Sequence, residues 1–325
     1  MPAKPVLAIG EVLIDLIASD EATSLEDAGS FVARPGGAPA NVAVALARLG
    51  IPSAFCGVIG SDPFGARLRS TLDADSVDTT RLRSTSEADT TIAFAWKDKG
   101  GDGHFRILRM ADRLLRVEDI ERAAITKTAA IVVGSVSLTE EPSRSALVRA
   151  IDIAAQAQIP TCVDVNMRPT LWTSPDSARD ACEPALCNAT LLKLSMDDAK
   201  FLFGLGNDFD AIFTALIALN RPFTVLTDGA RGAWFMQPSP NGPRFEHVPP
   251  FIVDAIEPTG AGDAFTAAII SGLIANDWKS LAWDDVRFAS AAGAITTTRR
   301  GAIDSFPTDR EVAGFLAPKS RNAVS

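Results

Sequence analysis

Between Ile131 and Thr227 the chain alternates short, continuous apolar runs with longer stretches of helical spacing, and this alternation constrains the fold more than any other feature. Ile131–Val133 is followed by helical spacing over Ser143–Ala157. Thr161–Val165 is followed by a helical stretch near Ser177–Cys187. Leu191–Leu194 is followed by helices around Asp197–Phe203 and Phe209–Leu219, and Phe223–Thr227 closes the series. Apolar runs of this length, without polar alternation, read as strands buried on both faces. Helical segments between them predict βαβ units, hence an α/β fold whose central, mostly parallel sheet is flanked by helices. Val6–Gly10 supplies a first buried strand. A chain of 325 residues has room for one large α/β domain with additions or for two ordinary domains. Its 47% hydrophobic and 22% charged content favours a packed core over disorder.

Two stretches break the rhythm, Val12–Arg34 and Thr90–Arg109. In the second, Thr91, Ala93 and Ala95 alternate with Ile92, Phe94 and Trp96. A turn, Lys99-Gly100-Gly101-Asp102-Gly103, then leads to a second strand, Phe105–Arg109. That pattern predicts a hairpin rather than a crossover. Residues 12–34 and 90–109 are therefore read as a small β-layer on a core formed by 1–11, 35–89 and 110–325. An active-site lid and an ordinary surface hairpin are equal readings of it. The tail after Pro318 is expected to fray.

Composition removes several classes of function. The net charge is −9, and no basic run offers a footprint for nucleic acid. No segment is apolar enough for a membrane span, and the N-terminus lacks a signal-like apolar stretch, so a cytoplasmic protein is expected. Cys56, Cys162, Cys182 and Cys187 form neither a CxxC pair nor a zinc-finger spacing, which fits a reducing compartment. His104 and His247 are the only histidines. Histidine metal clusters and Ser-His or Cys-His nucleophile pairs are thereby disfavoured, and the chemistry narrows to carboxylates, lysines, arginines and backbone amides.

In open α/β sheets the ligand crevice lies beyond the carboxyl ends of the strands. Three segments near such ends carry chemistry. Glu257-Pro258-Thr259-Gly260-Ala261-Gly262-Asp263 runs into the apolar, alanine-rich stretch Ala264–Ala275. Small residues before a helix let the backbone approach a ligand, and free amides at the helix start attract an anion. Asp263 is there either a helix-terminal acid or a general base beside a transferring phosphoryl group. Gly36-Gly37-Ala38-Pro39-Ala40-Asn41 also feeds a helix, Val42–Leu49, with Gly50 suited to its end. Gly36 and Gly37 serve either a tight turn or a substrate that needs room beside Asn41. Asp164-Val165-Asn166-Met167-Arg168-Pro169 leaves a buried strand with Arg168 either on a phosphate or on the surface. Asp15, Thr227 and Gly229 share that ambiguity. The GxxxxGK[ST] and GxGxxG phosphate loops are absent. Gly60–Gly65 has the first one's glycine spacing, but Ala66-Arg67 follows.

Taken together these segments resemble the ribokinase-like (PfkB) family of carbohydrate kinases, from Gly10 to about Pro307. GGAPANVAVALARLG (Gly36–Gly50) is similar to that family's N-terminal signature and TGAGDAF (Thr259–Phe265) to its C-terminal one. Within the family the fructokinase group matches best. It does so through Gly10–Asp15, FRILRMADRLL (Phe105–Leu115), Gly134–Leu138, DVNMRPTLW (Asp164–Trp172) and TTTRRGAIDSFP (Thr296–Pro307).

The resemblance implies an ATP-dependent sugar kinase acting on a primary hydroxyl of a hexose, fructose first. Asp263 would be the base, and the amides of Gly260, Ala261 and Gly262 the anion hole. Asp15, Gly36, Gly37, Asn41 and Arg109 would hold the sugar. Arg168, Lys193, Thr227, Gly229 and Gly232 would line the nucleotide site. Mg²⁺ would accompany ATP, with Asp198 reaching it through water, and Glu257 would mark a loop where K⁺ binding is left open. The β-layer becomes a lid that also joins a homodimer. Three departures from the family pattern stand out: Glu257 for aspartate, Ser195-Met196-Asp197-Asp198 for NxxE, and Asp228 for an apolar residue. The alternatives are a 2-keto-3-deoxygluconate or nucleoside kinase, with Arg106 and Arg109 available to a carboxylate, and a sugar sensor without turnover.

Overall fold

The computed structural model describes residues 3–317 apart from 21, 98, 100–102, 238, 240 and 241. Most of the expected hairpin turn, and the tail expected to fray, therefore lie outside the described residues. The strands are β1 (Val6–Ile9), β2 (Leu13–Ala18), β3 (Phe31–Gly36), β4 (Ser53–Gly60), β5 (Asp78–Thr85), β6 (Ile92–Lys97), β7 (Gly103–Leu108), β8 (Ala130–Gly134), β9 (Thr161–Asp164), β10 (Leu191–Ser195), β11 (Phe223–Thr227), β12 (Ala233–Met236) and β13 (Glu246–Val248). The helices are α1 (Ala38–Arg48), α2 (Pro63–Ala74), α3 (Arg122–Ile125), α4 (Ser143–Gln156), α5 (Pro175–Asn188), α6 (Met196–Phe203), α7 (Phe209–Ala218), α8 (Ala261–Ala275), α9 (Trp283–Thr297), α10 (Ala302–Ser305) and α11 (Asp309–Leu316). No helix among the described residues is long and apolar enough to cross a membrane.

One sheet runs β13-β12-β11-β10-β9-β8-β1-β4-β5. Its strands are parallel from β11 to β5, while β12 and β13 turn back antiparallel at one edge. The period-2 alternation of each strand divides its residues between two cores. Val6 and Ala8 of β1 pack on the side of α1, α8 and α9, and Leu7 and Ile9 on the side of α4 to α7. Both faces are covered, which is why these strands read as mostly apolar runs. The alternation from β8 to β11 is thus found as the sequence predicts. Strands β4, β5, β12 and β13 were not foreseen. β5, DTTRLRST, is an edge strand with several exposed side chains and no apolar run to reveal it.

The two irregular stretches form a separate sheet, ordered β3-β2-β6-β7. β6 and β7 pair antiparallel, as the predicted hairpin requires, and β2 and β6 pair parallel. Ala93 and Ala95 supply its buried face, while Ile92, Phe94 and Trp96 are half-buried. The alanines therefore face inward, and Ala93 lines the cavity between this sheet and the larger one.

Candidate active site

Helices α1 and α8 pack against each other, and their N-termini converge beyond the carboxyl ends of β1, β9 and β10. Each start depends on a glycine with positive φ. Gly37 has φ 103°, and a Cβ there would lie 2.6 Å from Glu11 O. Gly260 has φ 84°, and a Cβ there would lie 2.9 Å from Ala302. The two turns are as tight as the sequence suggested. Gly36 serves differently from expectation. The space where its Cβ would stand holds the Asp15 carboxylate, so Gly36 makes room for a neighbouring side chain and not directly for a ligand.

Asp263 is the third residue of α8 and is buried. It does not cap the helix. Its Oδ2 accepts from Asn41 Nδ2 at 2.8 Å, a contact between the two glycine loops. Asn41 Oδ1 is buried without a hydrogen-bond partner. A buried acceptor left in that condition costs roughly 1–3 kcal/mol, so this atom favours a ligand that brings a donor. Burial raises the Asp263 pKa to about 7, with Asp164 raising it further and Asn41, Lys193 and Arg168 opposing. Asp15 is likewise raised to about 7 by burial, with Arg168 opposing and Asp263 and Glu257 adding to the rise. A carboxylate that titrates near neutrality is suited to general-base work.

Lys193 projects from β10 to Asp164 at the end of β9, with Nζ 2.9 Å from Oδ1, and Thr266 Oγ1 donates to Asp164 Oδ2 at 2.7 Å. Burial pulls the ammonium pKa down. Asp164 more than reverses this together with Asp198 and Asp263, so the net shift is upward and the charge is kept. A Cβ on Gly262 would lie 3.2 Å from Lys193 Nζ, which places that cation beside the start of α8. Arg168 stacks on Phe105 of the small sheet, with Cζ 5.4 Å from the ring centroid, and Nη1 donates to Asn166 Oδ1 at 2.6 Å.

These residues line a cavity of about 280 Å³ between the two sheets. Glu11, Asp15, Gly37, Asn41, Arg168, Lys193 and Asp263 are in its wall, and Ala93, Phe105 and Ile107 of the small sheet cover it. A second cavity of about 480 Å³ is mostly apolar. Thr227, Gly229 and Gly232 line it, opposite Phe251–Val253 and the α9 residues Gly293, Ala294 and Thr297. Gly262 lines both cavities. Of the three predicted anion-hole amides, that of Ala261 donates to Pro258 O at 3.1 Å. The helical ladder begins only with Ala264 N–H to Gly260 O, which leaves the Gly260 and Gly262 amides on the cavity side.

Two predicted site residues are placed away from both cavities. Arg109 does not face the sugar-sized cavity. Its guanidinium is 2.6 Å from Asp112 and donates to Val136 O (2.9 Å), Thr139 Oγ1 (2.6 Å) and Ser143 Oγ (3.3 Å). All of its directions are taken up in tying the end of β7 to the loop after β8. Asp198 caps α6: its Oδ2 accepts from Ser195 N–H (2.8 Å) and its Oδ1 from Met167 N–H (2.7 Å), and it lines neither cavity. Each oxygen accepts one backbone N–H, so in this structure the carboxylate ties α6 to the chain after β9. Glu257 also lies outside both walls. Its Oε2 accepts from Gly301 N–H at 3.3 Å, and its Oε1 is buried without a partner. Among the described residues no group of three or more His, Cys, Asp or Glu is placed to hold a metal ion.

Sequence reasoning missed the Glu11 wall, the Asp164–Lys193–Thr266 cluster as a unit, and the nucleotide-sized wall from Pro250–Ala255 and α9. Glu11 was visible as the only acid next to Gly10 at the end of an apolar strand. The 250–255 wall has no periodicity and gave no signal.

Two cavities that meet at a helix N-terminus, one of them walled by buried carboxylates, fit a phosphotransferase. The chain belongs to the pfkB family of carbohydrate kinases, whose model matches residues 3–309. It is 36% identical to fructokinase-1 of Zea mays over 96% of this chain and 97% of that one. The fructokinase of Vibrio cholerae O395, solved with fructose, ADP and calcium, superposes with a TM-score of 0.84 at 30% identity. That match covers 96% of this chain and 99% of the other. The Xylella fastidiosa fructokinase with bound ATP gives a TM-score of 0.83 at 29% identity, covering 96% and 98%.

Proposed function

We propose that this chain transfers the γ-phosphoryl group of ATP to a primary hydroxyl of fructose. The observation that carries the reading is the junction of the two cavities at Gly262, with Asp263 on one side and the apolar, base-sized cavity on the other. The sugar lies between the sheets, where Asn41 Oδ1 and Asp15 accept its hydroxyl protons. Asp263 takes the proton of the attacking hydroxyl. The Gly260 and Gly262 amides and the Lys193 and Arg168 cations face the charge that develops on the transferring phosphoryl group. Such positioning and charge stabilisation are most of what phosphoryl transfer asks of a protein. Mg²⁺ bound to the nucleotide would supply charge neutralisation at the phosphates. Glu257 Oε1 is an oxygen donor without a partner, which fits a monovalent cation such as K⁺.

A sugar acid is the less favoured substrate. Arg106 is exposed on β7 and the Arg109 guanidinium is engaged by protein, so neither is free to meet a carboxylate in the cavity. The small sheet acts as the lid in this reading. Its half-exposed Val32 and Leu108 suit a homodimer contact, and a cytoplasmic setting completes the proposal. The test is ADP release by purified protein with Mg-ATP over a panel of ketoses and aldoses, with and without K⁺. Fructose-dependent release is expected. ADP formation that no sugar stimulates would overturn the reading.

A further inference from the structure

The wall of the larger cavity formed by residues 250–255 belongs to no strand or helix, yet it is held at both ends by one helix. At its far end the N–H groups of Ile256 and Glu257 both donate to Thr297 O, at 2.7 and 3.0 Å, at the close of α9. At its near end Arg287, from the early part of α9, does the holding. Its Nη1 donates to Pro249 O at 2.8 Å, and its Cζ stands 3.4 Å from the Phe251 ring centroid. Trp283, one turn earlier, lies 5.9 Å from the same guanidinium and donates Nε1–H to His247 O at 3.2 Å. Phe315 of α11 backs the Phe251 ring edge-on at 5.0 Å. The segment so fixed carries Ile252, whose side chain is 98% exposed, out over the cavity mouth. The opposite wall, Gly293, Ala294 and Thr297, is α9 itself.

The width of the cavity is thus set within a single helix, between its own face and the segment that Arg287 clamps. We propose that Arg287 is a positioning residue for the nucleotide, holding Phe251 and Ile252 at the height where they close on a flat aromatic base. This rests on the reading of the larger cavity as the ATP site. A planar guanidinium can stack on the ring and donate to a carbonyl at once, whereas a lysine ammonium keeps the attraction to the ring but loses the flat fork. Arg287 touches neither sugar nor phosphate in this account.

The experiment compares wild type, Arg287→Ala and Arg287→Lys for KM of ATP, KM of fructose, kcat and ADP affinity by calorimetry, with melting curves as a fold control. Arg287→Ala is expected to raise the ATP KM and the ADP Kd together, by roughly five- to twentyfold for a lost stacked and hydrogen-bonded arginine. Fructose KM and saturated kcat should stay within about twofold, and Arg287→Lys should fall between. An unchanged ATP KM, or a uniform fall of every parameter together with the melting temperature, would overturn the proposal. Ala294→Phe, which fills the cavity itself, separates the two levels. If it abolishes ADP binding while Arg287→Ala has no effect, the clamp alone is wrong. If it leaves ADP binding intact, the nucleotide site has been misplaced.

Discussion

Replacing Asn41 with leucine removes the side-chain donor that Asp263 accepts from, at 2.8 Å, while keeping a similar branched shape at a larger volume. The Asp263 pKa, already raised to about 7 chiefly by burial and Asp164, is held down in part by this bond. A hydrogen bond to a charged group contributes about 1.5–3 kcal/mol. At about 1.36 kcal/mol per unit, its loss moves the carboxyl up by roughly one to two units. Only the ionised carboxylate can accept a proton, so activity is lost as pH falls through the pKa. The acid limb of kcat/KM should therefore move from about 7 to roughly 8–9. At pH 7 the ionised fraction drops from about a half to between about 1 and 10%, which lowers kcat/KM roughly five- to fiftyfold. The part of the loss due to ionisation is recovered at pH 9.5, while the lost sugar contact of Asn41 Oδ1 lowers kcat/KM by the same factor at every pH. Asp15 also titrates near 7, so the displacement of the limb, not its absolute position, is the observable. The assay is a pH–rate profile from 5.5 to 9.5 with saturating ATP. A limb that stays at its wild-type position, with activity lost equally at every pH, would refute the coupling of Asn41 to the base.

Other outcomes follow from single atoms. Gly36→Ala puts a methyl group where the Asp15 carboxylate now sits. Displacing that group should raise the fructose KM by about tenfold or more and leave the ATP KM within about twofold, as steady-state kinetics would show. Asp198→Ala removes a carboxylate that accepts two backbone N–H groups. It should cost roughly 1–3 kcal/mol in denaturant melts, while the Mg²⁺ requirement of the reaction stays unchanged. A tenfold higher Mg²⁺ requirement without loss of stability would restore the metal role.

The fold was legible where burial on both faces left a signature. β8 to β11 are short, mostly apolar runs because helices cover each side of them, the buried Asp164 and Lys193 being paired with each other. β5 escaped because an edge strand needs no such run, and β12 and β13 because they are short returns at the opposite edge. The site was legible where backbone geometry demands a particular residue, at Gly37 and Gly260, and where a polar residue ends a buried strand, as with Asp164. It was not legible where function depends on a side chain's partners. Arg109 and Asp198 looked like ligand residues. The structure turns the first toward Asp112 and the loop after β8, and the second toward two amides. Sequence shows that a charged residue is present, while the direction it faces is decided by elements far along the chain.

The central claim is that Asp263 removes the substrate proton at the junction of the two cavities. Its most direct test is kcat for Asp263→Asn with Mg-ATP and fructose, alongside fructose binding by calorimetry. Asparagine keeps the shape and the neighbours but cannot accept the proton. The account predicts retained sugar binding with turnover reduced by about a hundredfold or more. A kcat close to that of the wild type would contradict it.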